Sequence, residues 1–333
     1  MKKTILAMAV PALLAAGSAS ASINLYDADG VKVDLSGAAE VQYFQDVGND
    51  KDGMWRLDDG DLAVNTEVAV SPEMSVLAGM SFEFESEEAL TENPTNGNVE
   101  NKELFVGFKS DSFGQITFGR QYLISDDIGI TKDYELSKVS FGVEETSHGD
   151  QVAKYIYDNG TLYGGVSTYQ KSDGEDDGTA ELSVVDARLG YRVADFDVRG
   201  YYYKADDGSV KIGNATTATA VDVTGYQFEV EYAGIENVSL AASYGNVQAD
   251  AIGGANDVIN TDAFSLAADY TMGNTTFAAG WDRQDPEKGD NVNGYYANVT
   301  YALHSNAKVY AEIGDTNADN ADLGYVAGME VKF

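Results

Sequence analysis

Few side chains in this sequence could carry covalent or acid–base chemistry. The chain has no cysteine and two histidines, His148 and His304. Ser147 precedes His148, but a nucleophile–base pair also needs a carboxylate that orients the base, and adjacency in sequence does not supply that geometry. His304 falls in an expected short turn, where we expect it to be solvated. We therefore expect no enzyme and no cofactor, with a hydrolase as the alternative.

Carboxylates are abundant, since the chain has 55 acidic and 21 basic residues and a formal net charge of −34. Acidic clusters at 49–53 and 173–178 have the composition of calcium loops, but neither has the ligand spacing and final glutamate of an EF-hand. We expect a solvated anionic surface and no metal site. The charge also excludes nucleic acid as a partner, because phosphate binding needs a basic surface.

The start of the chain has the order of a secretory signal. Two lysines precede an apolar stretch over 5–16, and small residues follow at 17–21. This order predicts a cleaved signal peptide over 1–21, because the apolar stretch is too short to anchor the chain in a bilayer. We expect cleavage after Ala21, with cleavage after Ala19 as the alternative. Loss of two lysines and no acid changes the formal charge from −34 to −36.

The elements that must position the remaining residues are β-strands. In 74–85 nearly every second residue is apolar and those between are mostly polar or small, and 31–44 and 226–232 repeat the pattern. Successive side chains on a strand point to opposite faces, so each segment has one apolar and one polar face. Segment 102–109 is ambiguous in phase.

The connections between these segments alternate between short and long. Short turns are expected near 71–73, 110–114, 158–160, 194–195, 233–237, 272–274 and 304–306. Long loops rich in Asp, Asn and Gly are expected near 45–60, 86–101, 123–150, 170–181, 205–222, 248–262, 284–293 and 314–323. Seven short turns and eight long loops separate sixteen strands. An even strand number with this asymmetry is typical of outer-membrane β-barrels.

We therefore predict an all-β fold, a 16-stranded antiparallel transmembrane β-barrel over 22–333, with short periplasmic turns and long extracellular loops. The alternative is a soluble β-sandwich or β-helix. Strands of about ten residues match a tilted membrane crossing. Aromatic residues on the apolar faces, such as Tyr43, Phe84, Tyr232 and Tyr295, lie near strand ends, as in an interfacial girdle. No shift in composition marks a second domain.

Three motifs resemble the general trimeric porins of Gram-negative bacteria. The segment INLYDADGVKVDLSG at 23–37 is similar to the family's mature start, and FGQITFGRQY at 113–122 is similar to its lead-in to the third loop. The last strand resembles the signal that the family's barrel-insertion machinery reads, and its apolar face includes Tyr325, Met329, Val331 and Phe333. In its acidic, short-looped character the chain is most similar to porins and porin-like proteins of marine gammaproteobacteria.

The resemblance implies that the third loop, at about 123–150, folds into the barrel and narrows it. In the family, acids on this loop face bases on the wall. The implied constriction residues are Asp127, Asp133 and Glu135 on the acidic side and Lys102, Arg120 and His148 on the basic side. Two of the family's basic positions fall at Ala38 and Asp61, so the resemblance implies a weaker positive side here.

Under the predicted phase, inward acids also outnumber inward bases. The acids are Glu40, Glu67, Glu83, Glu85, Glu229, Glu231 and Asp269, and the bases are Lys32, Arg188, Arg192 and Arg199. Because carboxylate rings favour cations in a pore, we expect a water-filled channel that prefers cations and passes small hydrophilic solutes by diffusion. The alternatives are a sugar-specific channel, based on inward Tyr201 and Tyr203, and a non-conducting structural or adhesin barrel.

The resemblance also implies the setting and the partners. It implies a homotrimer in the Gram-negative outer membrane, surrounded by lipid and lipopolysaccharide and inserted by the barrel-insertion machinery. Loose bridging of Mg²⁺ or Ca²⁺ between the acidic loops and lipopolysaccharide is the alternative to a purely solvated anionic surface.

Overall fold

The computed structural model describes residues 22–84, 99–137, 147–171, 182–210, 219–252, 257–319 and 321–333. The expected signal segment 1–21 and parts of several expected long loops lie outside the described residues. No helix in the described part of the chain is long and apolar enough to cross a bilayer.

Strands account for most of the described chain. Their bounds are β1 Ser22–Ala28, β2 Val31–Gln45, β3 Met54–Leu57, β4 Asp61–Ser71, β5 Met74–Glu83, β6 Glu100–Ser110, β7 Gly114–Tyr122, β8 His148–Asp158, β9 Leu162–Lys171, β10 Leu182–Val193, β11 Phe196–Val210, β12 Thr219–Ile235, β13 Val238–Ala251, β14 Asp257–Met272, β15 Thr275–Pro286, β16 Val292–His304, β17 Ala307–Thr316 and β18 Gly324–Lys332. A single turn of 3₁₀ helix spans Ile124–Asp127.

These segments form a closed antiparallel barrel of sixteen strand positions. From β4 to β18 each strand pairs with the next, and β18 and β4 both pair with β2, which closes the ring. β1 and β18 pair with successive parts of β2 and so share one position in the ring. β3 and β4 share another in the same way. The predicted 16-stranded antiparallel barrel is therefore confirmed.

The barrel is inside-out relative to a soluble protein. On β10, Leu189, Tyr191 and Val193 face outward and are exposed, whereas Asp186 faces inward and is buried. A soluble sandwich would bury the apolar face in a core. Here the outer apolar face suits hydrocarbon, and the polar face lines the lumen.

Several strands extend beyond the predicted loop boundaries. The expected loop 205–222 is shorter, because β11 continues to Val210 and β12 begins at Thr219. The expected loop 248–262 is shorter in the same way. The physical reason is that both strand faces meet water beyond the membrane, so the apolar alternation fades while the backbone ladder continues.

The ambiguous phase of 102–109 has a structural cause. The register between β5 and β6 shifts so that Lys102 is an extra residue on β6. Such a β-bulge reverses the alternation. Beyond it Leu104 and Val106 face outward and are exposed. Lys102 turns to pair with Glu83.

The last strand closes the barrel at its junction with β2. The backbone N–H of Gly37 donates to the Phe333 carbonyl at 2.8 Å, and the N–H of Phe333 donates to the Gly37 carbonyl at 2.9 Å. Met329 and Val331 are exposed on the outer face, and Tyr325 stacks on Tyr43 with ring centroids 6.1 Å apart. The role of these residues in assembly stays a prediction.

We expect Gly37→Ala to destabilise the barrel at this junction. A Cβ atom there would lie 2.6 Å from the Asp61 carbonyl oxygen and 2.6 Å from the Phe333 ring. Overpacking of this kind costs about 1–3 kcal/mol. Urea unfolding of the refolded protein, followed by tryptophan fluorescence, measures the loss.

The matched control is Gly200→Ala, also in a strand. Its Cβ atom would make only ordinary contact with the Phe228 ring, at 3.4 Å. Equal unfolding free energies for the two variants would contradict a special closure contact at Gly37.

Candidate pore constriction

Loop 3 comprises residues 123–147 between β7 and β8, and its described part, residues 123–137, folds into the barrel rather than away from it. It begins with the 3₁₀ turn and then follows the inner wall through residue 137. Leu123, Ile124, Ile130 and Leu136 are buried along its path, Leu136 completely. The expected loop 123–150 ends slightly earlier, because β8 begins at His148. Residues 138–146 lie outside the described chain.

Carboxylates of the wall hold the loop by its backbone. Asp186 accepts the N–H of Ser125 at 2.6 Å, and Glu229 accepts that of Gly129 at 2.7 Å. Glu312 accepts three successive loop N–H groups, from residues 134, 135 and 136, at 2.7–2.9 Å. A buried amide without a partner is costly, so these carboxylates satisfy a segment that has no strand neighbour.

Tyrosines complete the docking of the loop. Tyr296 accepts the N–H of Lys132 through its hydroxyl at 2.7 Å. The Tyr134 ring stacks on the Tyr310 ring with centroids 3.6 Å apart and an interplanar angle of 5°. Burial raises the pKa of the Tyr134 phenol, which therefore stays neutral and pairs with the Thr300 hydroxyl at 2.7 Å.

Several inward acids therefore do not form an open carboxylate ring. Glu229 is 2% exposed and pairs with Arg199, and Glu231 pairs with Arg199 at 2.7 Å. Lys132 of the loop lies 3.5 Å from Glu231 and 3.8 Å from Asp269. Glu40 is buried and accepts a hydrogen bond from Tyr310. These acids point inward as predicted, but Glu40, Glu229 and Glu231 are buried beneath the loop and its anchors, whereas the Asp269 side chain is 21% exposed.

The predicted loop acids lie at opposite ends of the described part of the loop, Asp127 at its start and Asp133 and Glu135 near its end, and they have separate partners. Asp127 pairs with Arg188 at 2.5 Å, and its side chain is 54% exposed. Asp133 accepts the backbone N–H of Ser137 at 2.9 Å. The Glu135 side chain is 22% exposed and pairs with Arg56 of β3.

The predicted basic residues lie near one another at the ends of β6, β7 and β8. His148 contacts the Lys102 carbonyl oxygen through Nε2 at 2.5 Å, and Lys102 pairs with Glu83. Arg120 pairs across the strands with Leu104, whose side chain is exposed on the outer face. Its guanidinium contacts Asp150 and the Asn101 carbonyl rather than the loop acids. Lys102 and His148 therefore meet through the Lys102 backbone, whereas the Arg120 side chain lies on the outer face of the wall. The described partners of all three bases are residues other than Asp127, Asp133 and Glu135.

Sequence reasoning missed Arg56, the cation that pairs with Glu135 of the loop. It lies on β3 in loop 1 (residues 46–60), stacked 3.9 Å from the Phe44 ring centroid. It pairs with Glu135 at 2.5 Å and with Asp58 at 3.0 Å. Gln42 bridges the cluster, donating to Asp58 at 2.6 Å and accepting from Arg56 at 2.9 Å. An arginine within an apolar run, Met-Trp-Arg-Leu, was the available signal.

Among the described residues, one cluster of three carboxylates has its oxygens as close together as metal ligands. Glu40, Asp59 and Glu330 each place an oxygen within 4.8 Å of the others. Lys308 and Lys332 lie 2.9 Å and 3.4 Å from Glu330. Because these carboxylates already have charged or hydrogen-bonding partners, we assign no metal to them.

The geometry of a closed barrel with an inward loop agrees with comparisons to known proteins. Residues 6–321 match the Gram-negative porin family. The chain belongs to that family. It is therefore an outer-membrane protein of the channel-forming class, with strands that cross the bilayer.

Individual porins differ in their sequence identity to this chain and in how much of it they cover. Porin-like protein H of Photobacterium profundum is 48% identical over 343 aligned residues that cover all of both chains. Outer membrane porin F of Escherichia coli is 26% identical and covers 96% of this chain and 95% of its own. The structure of Vibrio cholerae OmpT in its trimer form has a TM-score of 0.75 at 22% identity, covering 92% of this chain and all of that chain.

We expect Glu312→Ala to release the tip of loop 3. The change removes the acceptor of three loop N–H groups, of which that of Leu136 is buried and the other two are partly buried. Loss of a partner costs a buried N–H group about 1–3 kcal/mol. Single-channel recordings should show a changed mean conductance and more current noise. Glu67→Ala is the control, since Glu67 loses the same charge but pairs with Lys109 of the wall at 2.9 Å. Similar traces for the two variants would contradict the anchoring role.

We expect Arg56→Gln to weaken the contact between loops 1 and 3. Without the guanidinium, Asp58 and Glu135 are left as neighbouring like charges, and a hydrogen bond to a charged group contributes about 1.5–3 kcal/mol. Urea unfolding measures the loss, and a second change, Glu135→Gln, should recover part of it. Additive losses in the double variant would show that Arg56 and Glu135 act independently.

Proposed function

We propose that this porin is a water-filled channel for passive diffusion of small hydrophilic solutes and ions, with a preference for cations. The carrying observation is the course of loop 3. Its described contacts include residues of β9 to β17, from Ser167 to Glu312, and also Gln42 of β2 and Arg56 of β3. The described part of the loop thus follows the inner wall around more than half of the ring. In a barrel of sixteen strand positions, a loop that lies along the wall supports a constricted channel rather than a plugged lumen.

The inward tyrosines favour free diffusion over a sugar-specific channel. Sugar binding through stacking needs exposed aromatic faces along the path. Tyr201 and Tyr203 are 4% and 3% exposed, and the Tyr201 hydroxyl donates to the Asp127 carbonyl oxygen at 2.9 Å. Both rings therefore support the loop. No catalytic triad is expected around His148, whose ring contacts Tyr122 with centroids 4.9 Å apart.

The pairing of the inward arginines supports cation preference. Arg188 pairs with Asp127, Arg192 with Asp158 at 2.9 Å, and Arg199 with Glu231 at 2.7 Å. Each guanidinium is thus offset by a nearby carboxylate. At the family's expected basic positions the chain has a buried Ala38 and the acidic Asp61. The described inward arginines therefore add little uncompensated positive charge to a strongly acidic chain.

A homotrimer in contact with lipid and lipopolysaccharide is part of the proposal. The trimer form of OmpT, which shares the fold, supports the oligomeric state. Insertion by the barrel-insertion machinery, through the strand that ends at Phe333, and cleavage of the signal peptide over 1–21 are proposed on the sequence alone.

The test is electrical recording of the refolded protein in planar bilayers. We expect stepwise conductance, three equal closing steps per insertion event, and a reversal potential in a KCl gradient that indicates cation preference. Absence of conductance would support a structural barrel, and saturable block by sugars would support a specific channel. Anion preference would contradict the selectivity while leaving the diffusion channel intact.

A further inference from the structure

Asp127 and Arg188 form a pair at the start of loop 3. The guanidinium Nη1 lies 2.5 Å from the Asp127 carboxylate. The Asp127 side chain is 54% exposed, whereas the Arg188 side chain is 19% exposed. The acid therefore faces the lumen, and the base lies behind it on β10.

Neighbouring rings hold Arg188 in this position. Its guanidinium carbon lies 5.4 Å from the Tyr163 ring centroid and 5.9 Å from that of Tyr201. Tyr201 also donates to the Asp127 carbonyl oxygen. The rings limit the arginine's freedom, so its charge stays near Asp127.

The other carboxylates in the described part of the loop, residues 123–137, are arranged differently. Asp126 accepts a hydrogen bond from the neutral Ser147 hydroxyl at 2.9 Å, and Asp133 accepts the backbone N–H of Ser137. Glu135 faces Arg56 at the far end of the described loop. Asp127 is thus an exposed acid whose charge a wall cation offsets from beneath the loop.

Permeating ions have access to this pair. A cavity of about 710 Å³ below the loop is lined by Asp127, Arg188, Arg192, Asp197, Arg199 and Tyr201, among others. In water, a fixed charge acts on ions within about one Debye length, roughly 10 Å at 0.1 M salt. A change in the balance of this pair would therefore be felt along the path.

We infer that Arg188 is a selectivity-determining residue, because it masks Asp127 and so limits the cation preference of the channel. The inference rests on the proposed diffusion channel. The cation that compensates the charge of Asp127 is thus on β10, on the side of the barrel where the loop is docked, and not on the opposite side of the pore. Selectivity at this point then depends on one pair rather than on a field across the lumen.

The experiment compares reversal potentials of four variants in a KCl gradient. Arg188→Gln should raise the cation-to-anion permeability ratio by roughly threefold to fivefold, the effect of one unmasked charge a few ångström from the ion in water. Asp127→Asn should lower the ratio, and the double variant should return close to the wild type. Arg188→Lys retains the charge and should remain closer to the wild type than Arg188→Gln.

Two controls distinguish the effect of the local charge at Arg188 from a change in the protein's net charge and from a movement of loop 3. Arg283→Gln makes the same change in net charge at a residue paired with Asp285, at 2.8 Å, and should leave the ratio unchanged. Salt should shrink the effect of Arg188→Gln, because the Debye length falls to roughly 3 Å at 1 M. Conductance at 1 M salt should stay near the wild-type value, since Asp186 and Glu229 still hold the loop backbone.

Three results would overturn the inference while leaving the proposed channel in place. In the first, Arg188→Gln conducts but has the cation-to-anion permeability ratio of the wild type or of Arg283→Gln. In the second, the double variant keeps the raised ratio of Arg188→Gln. In the third, the raised ratio persists at 1 M salt and the conductance is altered. A wild-type protein without conductance would instead overturn the proposed function and, with it, this inference.

Discussion

The backbone's need for hydrogen-bond partners governs this structure. In hydrocarbon an unpaired N–H or carbonyl has no water to bind, so a β-sheet must close on itself to cross the bilayer. The ladder between β18 and β2 meets that need, and the reciprocal hydrogen bonds of Gly37 and Phe333 extend it to the last residue. Once the ring is closed with apolar residues outside, the polar faces of all its strands are left to line the lumen.

The same need explains how the lumen is partly filled. Loop 3 brings a stretch of backbone into the barrel without a strand beside it. Its N–H groups find acceptors in Asp186, Glu229 and Glu312, and Tyr296 adds a hydroxyl. Wall carboxylates thus serve first as structural acceptors. Their number says little about the charge that a permeating ion meets.

The sequence alone predicted the strands well because a membrane barrel has a simple period. Side chains alternate between lipid and lumen, and that alternation gave the sixteen strand positions and the outward face of Leu189. The prediction failed where this alternation is interrupted, as at the β-bulge at Lys102 and in the strand end near Val210, beyond the membrane. It also could not show that a distant loop covers Glu229 or that Arg56 reaches Glu135, because both depend on tertiary folding.

Selectivity in such a channel depends on which charges remain uncompensated after the loop is docked. Arg199 lies between Glu229 and Glu231 and is largely committed to them. Arg188 differs, since its partner Asp127 is on the loop and remains exposed. A partly exposed salt bridge contributes little to the free energy of unfolding. It can still set the electrostatic potential that a permeating ion meets, because permeation responds to the charge that the pair leaves uncompensated. The interactions that hold the loop and those that select ions are therefore drawn from the same residues but are separable in principle, by changing a charge while leaving the backbone acceptors in place.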